Sequence, residues 1–164
     1  MFDLHPFQHQ IIDDLSQGYL HGHRRQVCAL ATGGGKTVVA AHLGHRAASK
    51  GRKMLFIVDR IQLCGQAAET FNDMGLSVGI LRGDATSYTQ ADEIIVASIQ
   101  TIRSRSAPDW MDFAIIDECH ILHSEHIRLM EAWSDKAFIG LSATPLRKGL
   151  GKHFTNLVRG PSIR

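Results

Sequence analysis

The stretch that decides the fold is VCALATGGGKT, residues 27–37, an apolar run that passes through three glycines into a lysine and a threonine. The apolar part has the length of a buried strand, and the residues that follow Thr37 have a helical pattern up to Ser49. Glycines let backbone N–H groups converge where a Cβ would obstruct, and a helix N-terminus attracts anions. The stretch therefore predicts a phosphate-binding loop.

Each polar position of this loop has a predicted role. We assign phosphate binding through the loop backbone to four consecutive residues: Thr32, Gly33, Gly34 and Gly35. Lys36 is expected to hold the β and γ phosphates, and Thr37 to offer its hydroxyl to Mg²⁺. The sequence departs from the pattern G-x-x-x-x-G-K-[ST] at Leu30, which occupies the position of the first glycine.

The rest of the chain alternates short apolar runs with helical stretches. Apolar residues between Pro6 and Leu20 line one face of a first helix. Strands are predicted at Val27–Ala31, Met54–Val58, Val78–Leu81, Ile94–Ala97, Phe113–Ile116 and Ala137–Leu141, and crossover helices at Thr37–Ser49, Gln62–Asn72 and Ser124–Trp133. This alternation predicts an α/β fold, with a mainly parallel central sheet, helices on both faces and ligands at the carboxyl ends of the strands.

A pair of acids directly follows one of these strands. Asp117 and Glu118 come after Phe113–Ile116, at the edge where the glycine-rich loop also lies. Asp117 is suited to hold Mg²⁺ through its water shell, and Glu118 to orient and deprotonate an attacking water. Two acids after a strand are also common as plain loop residues, so the prediction depends on the phosphate loop upstream.

Composition restricts the class of protein. The chain has 164 residues, 44% hydrophobic and 21% charged, which fits one globular domain and excludes disorder and a coiled coil. Its apolar runs are shorter than the roughly 18 residues of a membrane span, and Met1-Phe2-Asp3 opens no leader, so we expect a cytoplasmic protein without a membrane partner. Three cysteines form no CxxC pair, and reduced thiols are expected.

Two further features allow more than one interpretation. The net charge is only +2, but five basic residues and no acid lie between Leu146 and Arg164, which predicts a solvated, frayed terminus. Four residues of types that bind zinc lie close together in the sequence, so a zinc site is an alternative: Cys119, His120, His123 and His126. The three histidines are three residues apart, however, which matches no standard spacing of zinc ligands. Cys119 itself is expected to be a small buried residue and not a nucleophile.

Three segments in this order resemble a known family. Residues Ala31–Thr37, Asp117–His120 and Leu141–Pro145 are similar to motifs I, II and III of the superfamily 2 helicases and translocases, in the DExH group. The sequence segments IVDR, ASIQTI, IIDECH and LSATP resemble those of the branch that contains RadD-type helicases and the motor parts of type I and type III restriction enzymes. The resemblance covers essentially the whole chain.

The resemblance implies a RecA-like domain that hydrolyses Mg-ATP while acting on nucleic acid, DNA more than RNA. It assigns catalysis to Lys36, Asp117, Glu118 and His120, and adenine recognition to Gln8. It assigns nucleic-acid contacts to Arg60, Gln66, Gln100 and Thr101, and the coupling of hydrolysis to strand handling to Ser142 and Thr144.

The resemblance also implies a missing partner. Residues 1–164 correspond to the first RecA-like domain, and nothing in them resembles the later motifs of a second one, which supplies an arginine finger in cis or in trans. A lone first domain is expected to bind ATP and to hydrolyse it weakly, with the basic tail as a mobile approach to the hinge. Two alternatives stay open, a nucleotide-gated binding module and a small-molecule kinase.

Overall fold

A computed structural model describes residue 4 and residues 6–30, 35–83, 86–143 and 150–159, and within them one parallel sheet organises the chain. Its strands are β1 (Arg25–Ala29), β2 (Met54–Val58), β3 (Val78–Leu81), β4 (Ile94–Ser98), β5 (Phe113–Ile116), β6 (Ala137–Ser142) and β7 (Asn156–Arg159). Their order across the sheet is β3-β4-β2-β5-β6-β1-β7. The predicted α/β fold with a parallel sheet is confirmed.

Helices cover both faces of this sheet. They are α1 (Pro6–Leu20), α2 (Lys36–Ser49), α3 (Cys64–Asp73), α4 (Ile99–Arg105) and α5 (Ser124–Ala132), with short 3₁₀ turns at Ile61–Leu63 and Leu150–Lys152. Apolar residues of α1, α2 and α3 pack in one hydrophobic core, and those of α4 and α5 pack in the other. The sheet therefore lies between two helical layers.

The central strands explain why their sequences are uniformly apolar. All five residues of β2 are buried, with Phe56 in the first core and Leu55 and Ile57 in the second. Phe56 meets Phe71 of α3 edge to face, with ring centroids 5.0 Å apart. A strand with helices on both sides has no solvent face to carry polar residues.

Most of the predicted elements are confirmed, and the differences have physical causes. The bounds of α1, β2, β3 and β5 agree with prediction. Strand β1 begins earlier, at Arg25, because Arg25 pairs with Phe138 in the ladder to β6. Helix α4 was not predicted as a helix; it is short, and the Ser98 side chain caps it by accepting the N–H of Thr101.

The prediction of a frayed basic tail is wrong for part of that segment. Asn156–Arg159 form β7, which pairs with β1 at the edge of the sheet, and Val158 joins the first core. The backbone N–H of Thr155 donates to the carbonyl of Arg25 at 2.8 Å, which fixes the approach to this strand. The parallel ladder to β1 and one buried valine order these residues despite their charge.

Two further expectations concern the cysteines and membrane-spanning helices. The three cysteines are free and buried, as predicted for reduced thiols. Among the described residues, no helix is both long and apolar enough to cross a membrane.

Candidate functional site

The carboxyl ends of β1, β5 and β6 lie side by side and bring three separate segments together. Backbone hydrogen bonds tie these segments at their exits from the sheet. The N–H of Cys119 donates to the carbonyl of Leu141 at 2.9 Å, and the N–H of Leu30 donates to the carbonyl of Ser142 at 3.0 Å. The described residues of the three motifs therefore share one edge of the sheet.

The start of α2 has the backbone expected at the end of a phosphate loop. Gly35 has φ 77°, in the left-handed region that favours glycine, and α2 begins at the next residue. The side-chain amide of Gln8 lies where a Cβ on Gly35 would be. Gln8 itself is only 3% exposed. Any side chain at position 35 would meet both a backbone strain and this amide.

Lys36 and Glu118 meet across the site. Lys36 Nζ donates to Glu118 Oε1 at 2.6 Å, although the two residues belong to different motifs. Glu118 has φ 54°, which is uncommon for a residue with a side chain and is typical of functional sites. Lys36, at the start of α2, therefore lies beside the acid pair.

Asp117, the first of the two acids, is half-buried. Burial raises the pKa of its carboxyl group, while the nearby charge of Lys36 opposes this shift. One carboxylate oxygen accepts the backbone N–H of Glu118 at 3.1 Å. Because burial makes this carboxylate costly to ionise, a nearby cation would stabilise its charged form. Thr37, the other residue predicted to bind Mg²⁺, lies half-buried in the first turn of α2.

His120 connects the acid pair to β6. Its Nδ1 is 3.0 Å from Ser142 Oγ and 3.4 Å from Glu118 Oε2. Ser142 is completely buried, so its hydroxyl is fixed by the fold. His120 therefore links the residue expected to activate water with the serine expected to couple hydrolysis to strand handling.

Four of the residues predicted to bind phosphate or to couple hydrolysis to strand handling are not among those that the structure describes. Thr32, Gly33, Gly34 and Thr144 lie outside the described part of the chain. Their assigned roles in phosphate binding and coupling stay predictions.

The residues predicted to contact nucleic acid have different surroundings. Arg60 and Gln66 are exposed. Gln100 is also exposed, and its Nε2 donates to the carbonyl of Asp59 at 2.6 Å. Thr101 is 2% exposed, and its hydroxyl accepts the N–H of Gly83 at 2.9 Å, so it serves the fold here. Nucleic-acid contact by these four residues stays a prediction.

A polar cluster of Asp59, His123 and His126, which the sequence did not predict, lies beside this surface. Asp59 Oδ1 is 2.8 Å from His123 Nε2, and His123 stacks on His126. The spacing of 64 residues between Asp59 and His123 gives no sequence signal. His126 is buried, and this burial lowers its pKa to about 4.

Cys119 has the environment predicted for a packing residue. Burial raises the pKa of its thiol to about 12, and its Sγ packs where a Cβ on Gly140 would lie. Across the residues that the structure describes, no three His, Cys, Asp or Glu side chains are arranged to hold a metal ion.

These features define a class of protein. A parallel sheet ends in a lysine at a helix start, an adjacent acid pair with a histidine, and a buried serine on the next strand, in the order of motifs I, II and III. The chain is a RecA-like domain of the superfamily 2 helicase class.

The particular family follows from sequence. The family described as type III restriction enzyme, res subunit, has a model that matches residues 1–147, and the chain belongs to this family. A curated relative is the type I restriction enzyme EcoAI endonuclease subunit of Escherichia coli, which is 31% identical over 155 residues. That match covers 85% of this chain and 19% of the relative, so the chain spans about a fifth of its length.

Solved structures with low sequence identity share the fold. The UvsW helicase from bacteriophage T4 matches with a TM-score of 0.78 at 20% identity, over 96% of this chain and 60% of that one. The Sulfolobus solfataricus SWI2/SNF2 ATPase core in complex with dsDNA matches with a TM-score of 0.72 at 16% identity, over 91% of this chain and 34% of that one.

Proposed function

We propose that residues 1–164 are the first RecA-like domain of an ATP-dependent nucleic-acid motor, a helicase or translocase or the motor part of a restriction enzyme. The observation that carries this proposal is the pairing of Lys36 with Glu118 beside the half-buried Asp117. The pairing joins a phosphate-binding cation, a metal-binding acid and a water-activating acid at one edge of the sheet.

The residues present fit Mg-ATP. Lys36 would hold the β and γ phosphates from the start of α2, and the left-handed Gly35 lets the backbone approach them. Thr37 and the half-buried Asp117 would hold Mg²⁺, which when bound neutralises charge on the phosphates. Gln8, fixed beside Gly35, would read the adenine as the family resemblance implies.

Glu118 would act as the base that accepts a proton from the attacking water. Its Oε1 is engaged by Lys36, and a phosphate that attracts Lys36 would free this oxygen for water. Its Oε2 lies 3.4 Å from His120, which limits how far the carboxylate can turn. When phosphate binds, Lys36 would therefore release Oε1 of Glu118, while the contact with His120 keeps the carboxylate in position to act as the base.

Nucleic acid is the proposed partner, with DNA favoured over RNA. Support comes from two proteins that the chain resembles, the type I restriction enzyme EcoAI endonuclease subunit and the SWI2/SNF2 ATPase core in complex with dsDNA. The exposed Arg60, Gln66 and Gln100 are the proposed contacts, and Arg60 is the one that can offer positive charge to phosphates. The buried Thr101 would support the start of α4 and not touch the nucleic acid itself.

A second RecA-like domain, in cis or in trans, is the proposed source of the remaining catalytic groups. An arginine finger contributes roughly 10³–10⁵ in rate, so this domain alone should bind ATP and turn it over slowly.

The test is ATP turnover with Mg²⁺, measured without nucleic acid and then with single-stranded DNA, duplex DNA or RNA, and repeated with any second domain supplied. We expect slow turnover that DNA stimulates, and a loss of about 10²–10⁴ in Glu118→Gln with nucleotide binding retained. Glu131→Gln on α5, an exposed acid, is the matched control and should behave as the parent chain. Rapid turnover that ignores every nucleic acid would contradict the proposal and favour a small-molecule kinase.

A further inference from the structure

Asp59 makes two contacts at the carboxyl end of β2 that no motif assigns. Its backbone carbonyl accepts Gln100 Nε2 at 2.6 Å, and its carboxylate Oδ1 is 2.8 Å from His123 Nε2. Gln100 lies in the first turn of α4 and His123 directly precedes α5. One residue thus joins the loop after β2 to the starts of two helices.

His123 is held in place by its own neighbours. Its backbone N–H donates to His126 Nδ1 at 3.0 Å, and the two rings stack with an interplanar angle of 19°. His126 is 1% exposed, and burial lowers its pKa to about 4, so His126 is a neutral acceptor at Nδ1. The ring of His123 is therefore presented to Asp59 by a fixed helix start.

The same segment carries the acid pair. The backbone N–H of Ile121 donates to the carbonyl of Glu118 at 2.9 Å, which closes a turn between Glu118 and the start of α5. His120 lies within this turn and contacts Ser142. A short, continuous series of contacts therefore runs from Gln100 through Asp59 and His123 to Glu118.

We propose that the Asp59–His123 pair is a positioning contact that links nucleic-acid binding at the loop after β2 and the start of α4 to Mg-ATP binding beside Glu118. This inference rests on the proposed function and adds the residues that regulate it. A nucleic acid that orders Arg60 and Gln100 would hold Asp59, and Asp59 would hold the segment of Glu118 through His123. By linkage, Mg-ATP must then strengthen nucleic-acid binding by the same factor.

The experiment measures this factor directly. A fluorescent, non-hydrolysable ATP analogue with Mg²⁺ is titrated into the chain alone and into the chain saturated with a short DNA duplex. The reverse titration, DNA into the chain with and without the analogue, must give the same factor. We expect the parent chain to bind the analogue roughly fivefold more tightly with DNA, an ordinary size for such coupling.

Two substitutions of His123 separate linkage from helix capping. His123→Asn keeps a favourable residue at the helix start but is too short to reach Asp59, and it should reduce the factor to below about twofold. His123→Gln places a donor near the position of Nε2 and should restore most of it. Arg128→Ala, which removes an exposed arginine that pairs with Glu125 on the same helix, is the matched control and should leave the factor unchanged.

A double-mutant cycle tests whether the two residues act together. Asp59→Ala should lower the factor as much as His123→Asn, and the double variant should lower it no further. Equal melting temperatures of the variants would show that the fold is kept.

Two kinds of result would contradict these expectations. A parent chain that binds no Mg-nucleotide or no DNA would overturn the proposed function, and this inference with it. Binding of both ligands without linkage, or linkage that survives in a folded His123→Asn, would overturn this inference and leave the proposed function standing.

Discussion

The two edges of the sheet both carry charged side chains, but they use them differently. At the amino edge, the Arg25 guanidinium donates to the carbonyls of Met130 at 2.9 Å and Trp133 at 3.2 Å, and to that of Lys136. It also lies over the ring of Phe138, 4.6 Å from its centroid. At the carboxyl edge, Lys36 and Glu118 bind one another.

The difference distinguishes charges that stabilise the fold from charges that are available to a ligand. The partners of Arg25 are backbone carbonyls at the end of α5, which no ligand needs to displace. The partners at the carboxyl edge are other ionisable side chains, on a backbone with a left-handed Glu118 and beside a half-buried Asp117. Arrangements that cost stability are typical of functional sites.

The largest expected effect on stability is at Arg25. Arg25→Met should lower the free energy of unfolding by about 2–3 kcal/mol, because it leaves the carbonyls of Met130 and Trp133 without their charged donor. Urea unfolding measures this change, and Mg-ATP affinity of the folded variant should stay within about twofold of the parent. The neighbouring Arg24→Met is the control, since Arg24 is exposed and its side chain contacts the exposed Tyr19. Equal losses in the two variants would remove the proposed distinction at the amino edge.

At the carboxyl edge, His120→Ala should act on turnover instead of stability. Removal of the ring deletes the contacts of His120 with the Glu118 carboxylate and with the Ser142 hydroxyl, and we expect turnover to fall about tenfold with little change in nucleotide affinity. Steady-state kinetics separate kcat from KM, and His120→Asn, which retains a polar atom near Nδ1, should recover part of the rate. A change in KM alone would mean that His120 binds substrate and does not orient Glu118.

The smallest expected effect is a gain in stability. Asp117→Asn should raise the free energy of unfolding by about 1 kcal/mol at neutral pH, because it removes a carboxylate that is costly to ionise where it is buried. Since burial raises the pKa of Asp117 above its unfolded value, the cost of ionisation appears as the pH rises above the unfolded pKa and is complete above the raised folded pKa. The gain should therefore vanish as the pH is lowered through the folded pKa towards the unfolded value.

Urea unfolding of the parent chain and Asp117→Asn across this pH range measures the gain, and Mg²⁺-dependent nucleotide binding should weaken in the variant. A variant less stable than the parent at neutral pH would show that Asp117 supports the fold.

The sequence predicted the features that depend on local patterns. Apolar runs such as Met54–Val58 have one structural solution when helices lie on both sides, so their bounds agree with the structure. The order of the three motifs, together with the rule that ligands lie at carboxyl strand ends, predicts that Lys36, Asp117 and Glu118 lie near one another, and Lys36 pairs with Glu118 in the structure.

Features that depend on distant partners were not predictable in this way. Strand β7 has one buried residue, Val158, and forms because β1 offers an unpaired edge. The role of Arg25 depends on carbonyls more than 100 residues away, and the contact of Asp59 with His123 spans 64. Sequence spacing carries no signal for pairs that meet only after the sheet has assembled.

The most direct test of the central claim is calorimetric titration of Mg-ATP into the parent chain and into Lys36→Met, with melting temperatures of both recorded. Lys36 is the cation that the proposed phosphate site cannot lack, and its side chain is only 18% exposed at the start of α2. We predict measurable binding to the parent chain and a loss of about 100-fold or more in Lys36→Met, with little change in melting temperature. Undiminished binding in a folded Lys36→Met would contradict the account.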